Sequence, residues 1–240
     1  MKYGSVCVAY KEERFIVPHL QHMPDWVEDK VVLNSTIPWF GTMADEDGTA
    51  TLAEPYARVI QNYWRTEEEQ RNTGQDLHQD KDWVIILDPD EFLDNEAWNK
   101  LKDFLETTDA DAVVVEGQNT YWKDGWVADP PKDYQMLIAV RPHVRFVDKR
   151  VVGTSFVVAP VWLHHFSWAR TDEEVWRKIS HYAHANDFNI KDWYENVWKS
   201  WQPGDKDVHP TTPDTLHEFK RVVLPKEIED LHLWPKQNKT

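Results

Sequence analysis

The sequence predicts an α/β protein: a three-layer, mostly parallel sheet flanked by helices, with a helical extension at its C-terminal end. Three observations lead there. The N-terminal part alternates strand-like and helix-like segments, the pattern of parallel strands joined by crossover helices. Trp83–Leu87 (WVIIL) is an unbroken apolar run, as expected of a strand buried on both faces. The chain has 240 residues, enough to bury a core without staples.

The elements follow in order. Ser5–Tyr10 reads as a buried first strand, ended by the charged run KEER. Phe15, Ile16, Leu20 and Met23 then recur at helical spacing, with Pro24-Asp25 as a stop. Lys30–Leu33 is a second strand, and the Gly, Asp, Thr and Pro content of Asn34–Thr51 marks a loop. Proline suits a first helical turn, so Glu54-Pro55 predicts a helix with Tyr56, Val59, Ile60 and Tyr63 on one face. Thr66 with Glu69, and later Thr171 with Glu174, have capping-box spacing. Asp94 or Asn95 caps a helix carrying Trp98, Leu101 and Leu105. Ala112–Glu116, Met136–Arg141 and Ser155–Val161 are strand-like. Val175, Ile179 and Tyr182 mark the helix opened at Thr171, and Trp193, Val197 and Trp201 repeat at i, i+4 and i+8. Beyond Gln202 the prolines predict an extended tail with a short helix near Lys226–Leu231.

Composition narrows the function classes. The formal charge of -15 argues against a broad footprint on nucleic acid or anionic lipid, which needs clustered Lys and Arg. A single cysteine, Cys7, excludes an internal disulfide and fits a reducing compartment. No stretch reaches the length of a membrane span, and the first residues lack the apolar core of an export signal, so a cytoplasmic protein is expected. Fourteen tryptophans suit both core packing and stacking on sugar rings.

The chemistry centres on Asp88-Pro89-Asp90-Glu91, directly after the buried apolar run. Ionised carboxylates are costly inside a protein, so these belong at the solvent-facing end of the strand, where ligands bind in open α/β sheets. Two aspartates one residue apart can converge on a hard divalent cation, Mn²⁺ or Mg²⁺, which in turn can bridge phosphates. Taken alone, D-x-D reads better as an acidic loop that caps the next helix; the buried strand before it favours the metal reading. Leu163-His164-His165-Phe166 follows another apolar strand, and alternation lets only one of His164 and His165 face such a site. Trp168 and Arg170 stand close enough to touch sugar or phosphate. Tyr121, Trp122 and Trp126 flank a Lys-Asp-Gly turn, which reads as a packed hairpin or an acceptor platform.

The segment Arg71-Asn72-Thr73-Gly74, the strand Asp82–Leu87 and Asp88-Pro89-Asp90 resemble the family 2 glycosyltransferases of the GT-A fold, a Rossmann-like architecture. Val8-Ala9-Tyr10-Lys11-Glu12 and Asp47-Gly48-Thr49 resemble the same family, in the same order, across roughly the first 125 residues. The resemblance implies a nucleotide-sugar-binding catalytic domain over 1–170 and a helical extension over 171–240 packed on it. It implies Tyr10, Glu12, Asn34, Arg71 and Asp88 at the nucleotide sugar, with Asp88, Asp90 and His164 or His165 at a Mn²⁺ or Mg²⁺ ion. The donor expected is a nucleotide diphosphate sugar, a UDP-sugar by preference, and the acceptor an unidentified hydroxyl attacked with inversion. Asn34 stands where the family carries an aspartate, and the family's late acidic motif has no clear match. Glu116, Asp124 and Asp148 are the candidates left for a catalytic base. A nucleotidyltransferase and a non-catalytic, metal-dependent sugar-binding protein are the rivals. The first would carry a Gly-rich basic loop where this chain has KEER.

Overall fold

The computed structural model describes residues 1–41, 47–131, 135–212 and 216–235, with the side chain of Asp124 outside the description. Its strands are β1 (Tyr3–Ala9), β2 (Val27–Ser35), β3 (Arg58–Asn62), β4 (Trp83–Ile86), β5 (Glu91–Phe92), β6 (Ala112–Trp122), β7 (Trp126–Asp129), β8 (Leu137–Val140), β9 (Phe146–Asp148), β10 (Val151–Val152), β11 (Phe156–His165) and β12 (Glu218–Arg221). The helices are α1 (Glu13–His22), α2 (Thr49–Ala53), α3 (Glu67–Asp76), α4 (Asn95–Thr107), α5 (Asp172–His181), α6 (Ile190–Trp193) and α7 (Lys226–Glu229).

The expected layered α/β architecture is present. Strands β3, β2, β1 and β4 pair in parallel, and β8 then runs antiparallel between β4 and β6. Strand β11 lies parallel to β6. Apolar clusters cover both faces, one built around Trp83, Ile85 and Leu101, the other around Val6, Val84 and Ile86. Strand β4 is buried along its whole length, as its unbroken apolar sequence requires. Among the described residues no helix is long and apolar enough to cross a membrane.

The predicted caps are formed. Thr66 accepts from the backbone of Glu69, Asp94 from Ala97, and Thr171 with Glu174 makes a reciprocal capping box. Gly74 lets α3 press against β1, since a Cβ there would lie 2.5 Å from both methyls of Val6.

The segment after Glu54 differs from expectation. The helix lies earlier, as α2, and Arg58–Asn62 is an edge strand parallel to β2. Val59 and Ile60 are β-branched and favour the strand, while Pro55 follows the helix instead of opening it.

The C-terminal tryptophans also shift by one place. Tyr194–Lys199 continues α6 as a π-helical turn, which widens the repeat. Trp198 at i+5 from Trp193, rather than Val197 at i+4, is therefore fully buried. It packs with Trp122, Trp168 and Trp201. Tyr121 and Trp122 are buried in the packed β6–β7 hairpin. Beyond residue 170 the chain is not separate from the sheet, because β12 pairs with β7.

Candidate functional site

The C-terminal ends of β1 and β4, the end of β11 and one face of α5 surround a cavity of about 370 Å³. Tyr10 and Glu12 enter it from the end of β1, Asp88 and Asp90 from the end of β4, and His165 from the end of β11. A smaller cavity of about 20 Å³ shares Tyr10, Lys11 and Ser35 with it and is lined by Asn34 and Asp47. Asn34 Oδ1 and Asp47 Oδ2 are buried without a hydrogen-bond partner among the described residues.

The D-x-D turn is fixed from several sides. The backbone N–H of Asp88 donates to Glu91 Oε2 at 2.9 Å, and that of Glu91 returns to Asp88 O at 3.0 Å. Arg150 donates to Glu91 Oε1 at 2.6 Å and to the carbonyls of Ile86 and Leu137 at 2.7 Å each. The Phe166 N–H donates to Asp90 O at 2.8 Å, tying the turn to the end of β11. The motif D-G-T braces the start of α1, where Thr49 Oγ1 accepts from the Glu12 N–H at 2.8 Å.

Each carboxylate of the cavity meets a cation. Arg71, fully buried on α3, donates to both oxygens of Asp88 at 2.9 and 3.0 Å and to Glu67 at 2.7 Å. Arg170 bridges Glu12 and Asp90, donating at 2.9 and 2.7 Å, and Lys178 reaches the same Asp90 oxygen at 2.7 Å. Glu174 accepts from Arg14 at 2.9 Å. Burial alone would raise the Asp90 carboxyl, but Lys178 and Arg170 outweigh it and hold the group well below the usual carboxylate range. Burial likewise opposes ionisation of Asp88, and Arg71 and Arg150 overcome it. At Glu12 burial prevails over Arg170, so its carboxyl is raised. Burial lowers the His165 imidazole despite the nearby Asp90 charge.

The histidine pair divides as strand alternation requires. His165 Nε2 lies 3.7 Å from Asp90 Oδ1, the oxygen turned away from Lys178 and Arg170. His164 points elsewhere: its Nδ1 is 2.6 Å from the Tyr121 hydroxyl, and its Nε2 is 3.6 Å from Asp94. A cation with bonds of about 2.1 Å fits between one oxygen and one imidazole nitrogen at this separation, and the pairing suits Mn²⁺. Among the described residues no group of three or more His, Cys, Asp or Glu side chains gathers to hold an ion. Asp90 Oδ1 and His165 Nε2 are the two donors that the cavity would offer a cation. Both oxygens of Asp88 accept from Arg71.

The remaining expectations separate. Tyr10, Glu12 and Asp88 line the main cavity, Asn34 lines the small one, and Arg71 stands behind Asp88. Glu116 is exposed on β6 and accepts from Trp162 Nε1, and Asp148 is exposed at the end of β9, so neither is brought to the cavity. The Asp124 side chain lies outside the described residues. Trp168 is 2 % exposed, joining the aromatic cluster while edging the cavity.

Sequence reasoning missed Arg150, Arg177 and Lys178. One signal was available for two of them. Glu174, Arg177, Lys178 and His181 repeat at i, i+3, i+4 and i+7, opposite the buried Val175 and Ile179. All four line the cavity. A charged helical stripe ordinarily faces water; here it faces acids that need counter-charges.

No family model matches the chain. A TPR repeat-containing protein of Synechococcus elongatus is 27% identical over 148 residues, which is 61% of this chain and 34% of that protein. The chain thus spans about a third of the length of that relative. Among solved structures it is similar to S. aureus TarS 1–349, with a TM-score of 0.49 at 12% identity over 74% of this chain and 64% of that one. The same TarS segment in complex with UDP aligns with a TM-score of 0.49 at 12% identity, over 85% and 74% of the two chains. Mannosyl-3-phosphoglycerate synthase from Rubrobacter xylanophilus has a TM-score of 0.40 at 13% identity, over 49% and 40%.

Proposed function

We propose that this chain is a glycosyltransferase that takes a sugar from a nucleotide diphosphate sugar and delivers it to an acceptor hydroxyl with the aid of Mn²⁺ or Mg²⁺. The observation that carries the reading is the seating of Asp88 and Asp90 at the mouth of buried β4, in one cavity with Tyr10, Glu12 and His165. That is where ligands bind in an open α/β sheet, and the residues are those that the family resemblance nominates.

Asp90 and His165 would hold the ion, and Asp88, clamped by Arg71, would keep the turn in place. When bound, the ion would neutralise charge building on the leaving diphosphate. The acceptor hydroxyl oxygen bonds to the anomeric carbon and gives up its proton to water, and the bond from that carbon to the terminal phosphate oxygen breaks with its electron pair on the diphosphate. Lys178 uses one N–H on Asp90 and has two more to offer this developing charge. The unpartnered acceptors Asn34 Oδ1 and Asp47 Oδ2 suit a base edge that donates, as uracil N3–H does, which favours UDP. The cavity of about 370 Å³ falls within the range of small-ligand sites.

The test is a thermal-shift screen of nucleoside diphosphates and their sugars with and without Mn²⁺, with hydrolysis of the same panel as the activity readout. UDP is expected to raise the melting temperature more with Mn²⁺ than without. That metal-dependent increment is expected to vanish in Asp90→Asn and His165→Ala and to persist in His164→Asn. Absence of any nucleotide effect, or an Asp90→Asn protein indistinguishable from the parent, would sink the reading.

A further inference from the structure

Charge balance within the cavity points to the substrate. Among the described residues, each of the acids lining it has a cation within 3.0 Å: Glu12, Glu67, Asp88, Asp90 and Glu174. The cations are not used up in return. Arg177 lines the cavity from α5, yet its guanidinium makes no hydrogen bond or ion pair with any described residue. Lys11 likewise makes no ion pair there, and its ammonium lies 5.8 Å from the centre of the Tyr10 ring. Two cations of a chain of formal charge -15 thus face its main cavity outside the ion pairs formed there.

These two cations occupy different places. Lys11 also borders the small cavity of Asn34 and Asp47, and Arg177 does not. Arg177 sits on the stripe of α5 whose other charged members, Glu174 and Lys178, are already paired. One turn on, His181 donates from Nδ1 to the Arg177 carbonyl at 2.8 Å. Its ring meets Tyr10 edge-on at 5.7 Å. A guanidinium presents paired N–H donors in a plane, the arrangement that matches the two oxygens of a phosphate or carboxylate.

We propose that Arg177 is an oxyanion subsite for the acceptor, so that the hydroxyl compound receiving the sugar carries a phosphate or carboxylate. This rests on the glycosyltransferase reading for the word acceptor, but the anion site stands on its own. The other source of the same chemistry is the donor's diphosphate.

Calorimetry on the full chain separates the two. UDP with Mn²⁺ is titrated into the parent and into Arg177→Gln, and inorganic phosphate or succinate is then titrated into the UDP-saturated proteins and into the nucleotide-free ones. The expected result is that one of these anions binds the parent and binds Arg177→Gln at least tenfold more weakly, while UDP affinity stays within twofold. Arg177→Lys should recover part of the loss. The proposal is overturned if neither anion binds the parent, if both proteins bind it equally, or if the tenfold loss falls on UDP instead. A parent that fails to bind UDP rejects the donor assignment, and the nucleotide-free titration then still decides whether Arg177 holds an anion.

Discussion

Arg170 is the point at which removing one side chain should disturb the site most. It is 5 % exposed and donates to Glu12 at 2.9 Å and to Asp90 at 2.7 Å, while its Nε donates to the Ser167 carbonyl at 3.1 Å. Its guanidinium carbon also lies 4.6 Å from the centre of the Phe15 ring. Arg170→Met keeps the apolar stem and leaves the buried Asp90 and the partly buried Glu12 carboxylates facing one another, with Lys178 alone to neutralise them. Removing one partner of a buried ion pair costs about 3–5 kcal/mol. For a chain of this length each kcal/mol moves the melting temperature by about 2–4 °C, so a fall of roughly 6–20 °C is expected. Lys178→Met removes a partner that touches Asp90 only, and its cost should be that of one charged hydrogen bond, about 1.5–3 kcal/mol. Urea unfolding followed by tryptophan fluorescence at pH 7 measures both. Adding Glu12→Gln to Arg170→Met should return part of the loss, because one of the stranded charges is gone. A change below about 1 kcal/mol in Arg170→Met, or a Lys178→Met protein hurt as badly, would refute the assignment of Arg170 as the central counter-charge.

Two further outcomes follow from the geometry. His19 is buried, its Nδ1 faces the Glu91 carbonyl at 3.2 Å, and its Nε2 has no partner among the described residues. Burial lowers it from 6.5 to about 4. The unfolded chain therefore takes up the proton first, so stability present above pH 6.5 is lost progressively as pH falls towards 4, by up to ~3 kcal/mol. His19→Phe should flatten that part of a urea-midpoint profile between pH 7 and 4.5, and an unchanged slope would count against it. Gly74→Ala would ordinarily favour a helix by about 1 kcal/mol. Here the methyl meets Val6 at 2.5 Å, and a loss of about 1–3 kcal/mol in chemical denaturation is expected instead.

Local signals carried much of the architecture. The apolar run of β4, the side-chain caps at Thr66, Asp94 and Thr171, and the acids at the strand mouth are all written in neighbouring residues. What local reading missed depends on partners far along the chain. Arg170 meets Glu12 across 158 positions, and Lys178 meets Asp90 across 88. No periodicity records such pairings. Strand β3 was misread because Val59 and Ile60 fit a helical stripe as well as an edge strand, and only docking on β2 decides between them. The π-helical turn at Tyr194–Lys199 similarly obeys the demand of the aromatic cluster for Trp198, which spacing by four cannot reveal.

The bridge from Glu12 through Arg170 to Asp90 also bears on how the protein comes into being. The acids leave the ribosome well before the cations that answer them, since Arg170 and Lys178 come 80 and 88 residues after Asp90. Until α5 is made and docked, the strand ends hold like charges with no counter-ion from that helix. The sheet can assemble first, but the pocket is completed only when late-synthesised chain returns to it. Because α5 also buries Val175 and Ile179 in the tryptophan cluster, the helix that brings Lys178 to the pocket is packed on the C-terminal core as well. The pocket's charges and the packing of the C-terminal core thereby share one element.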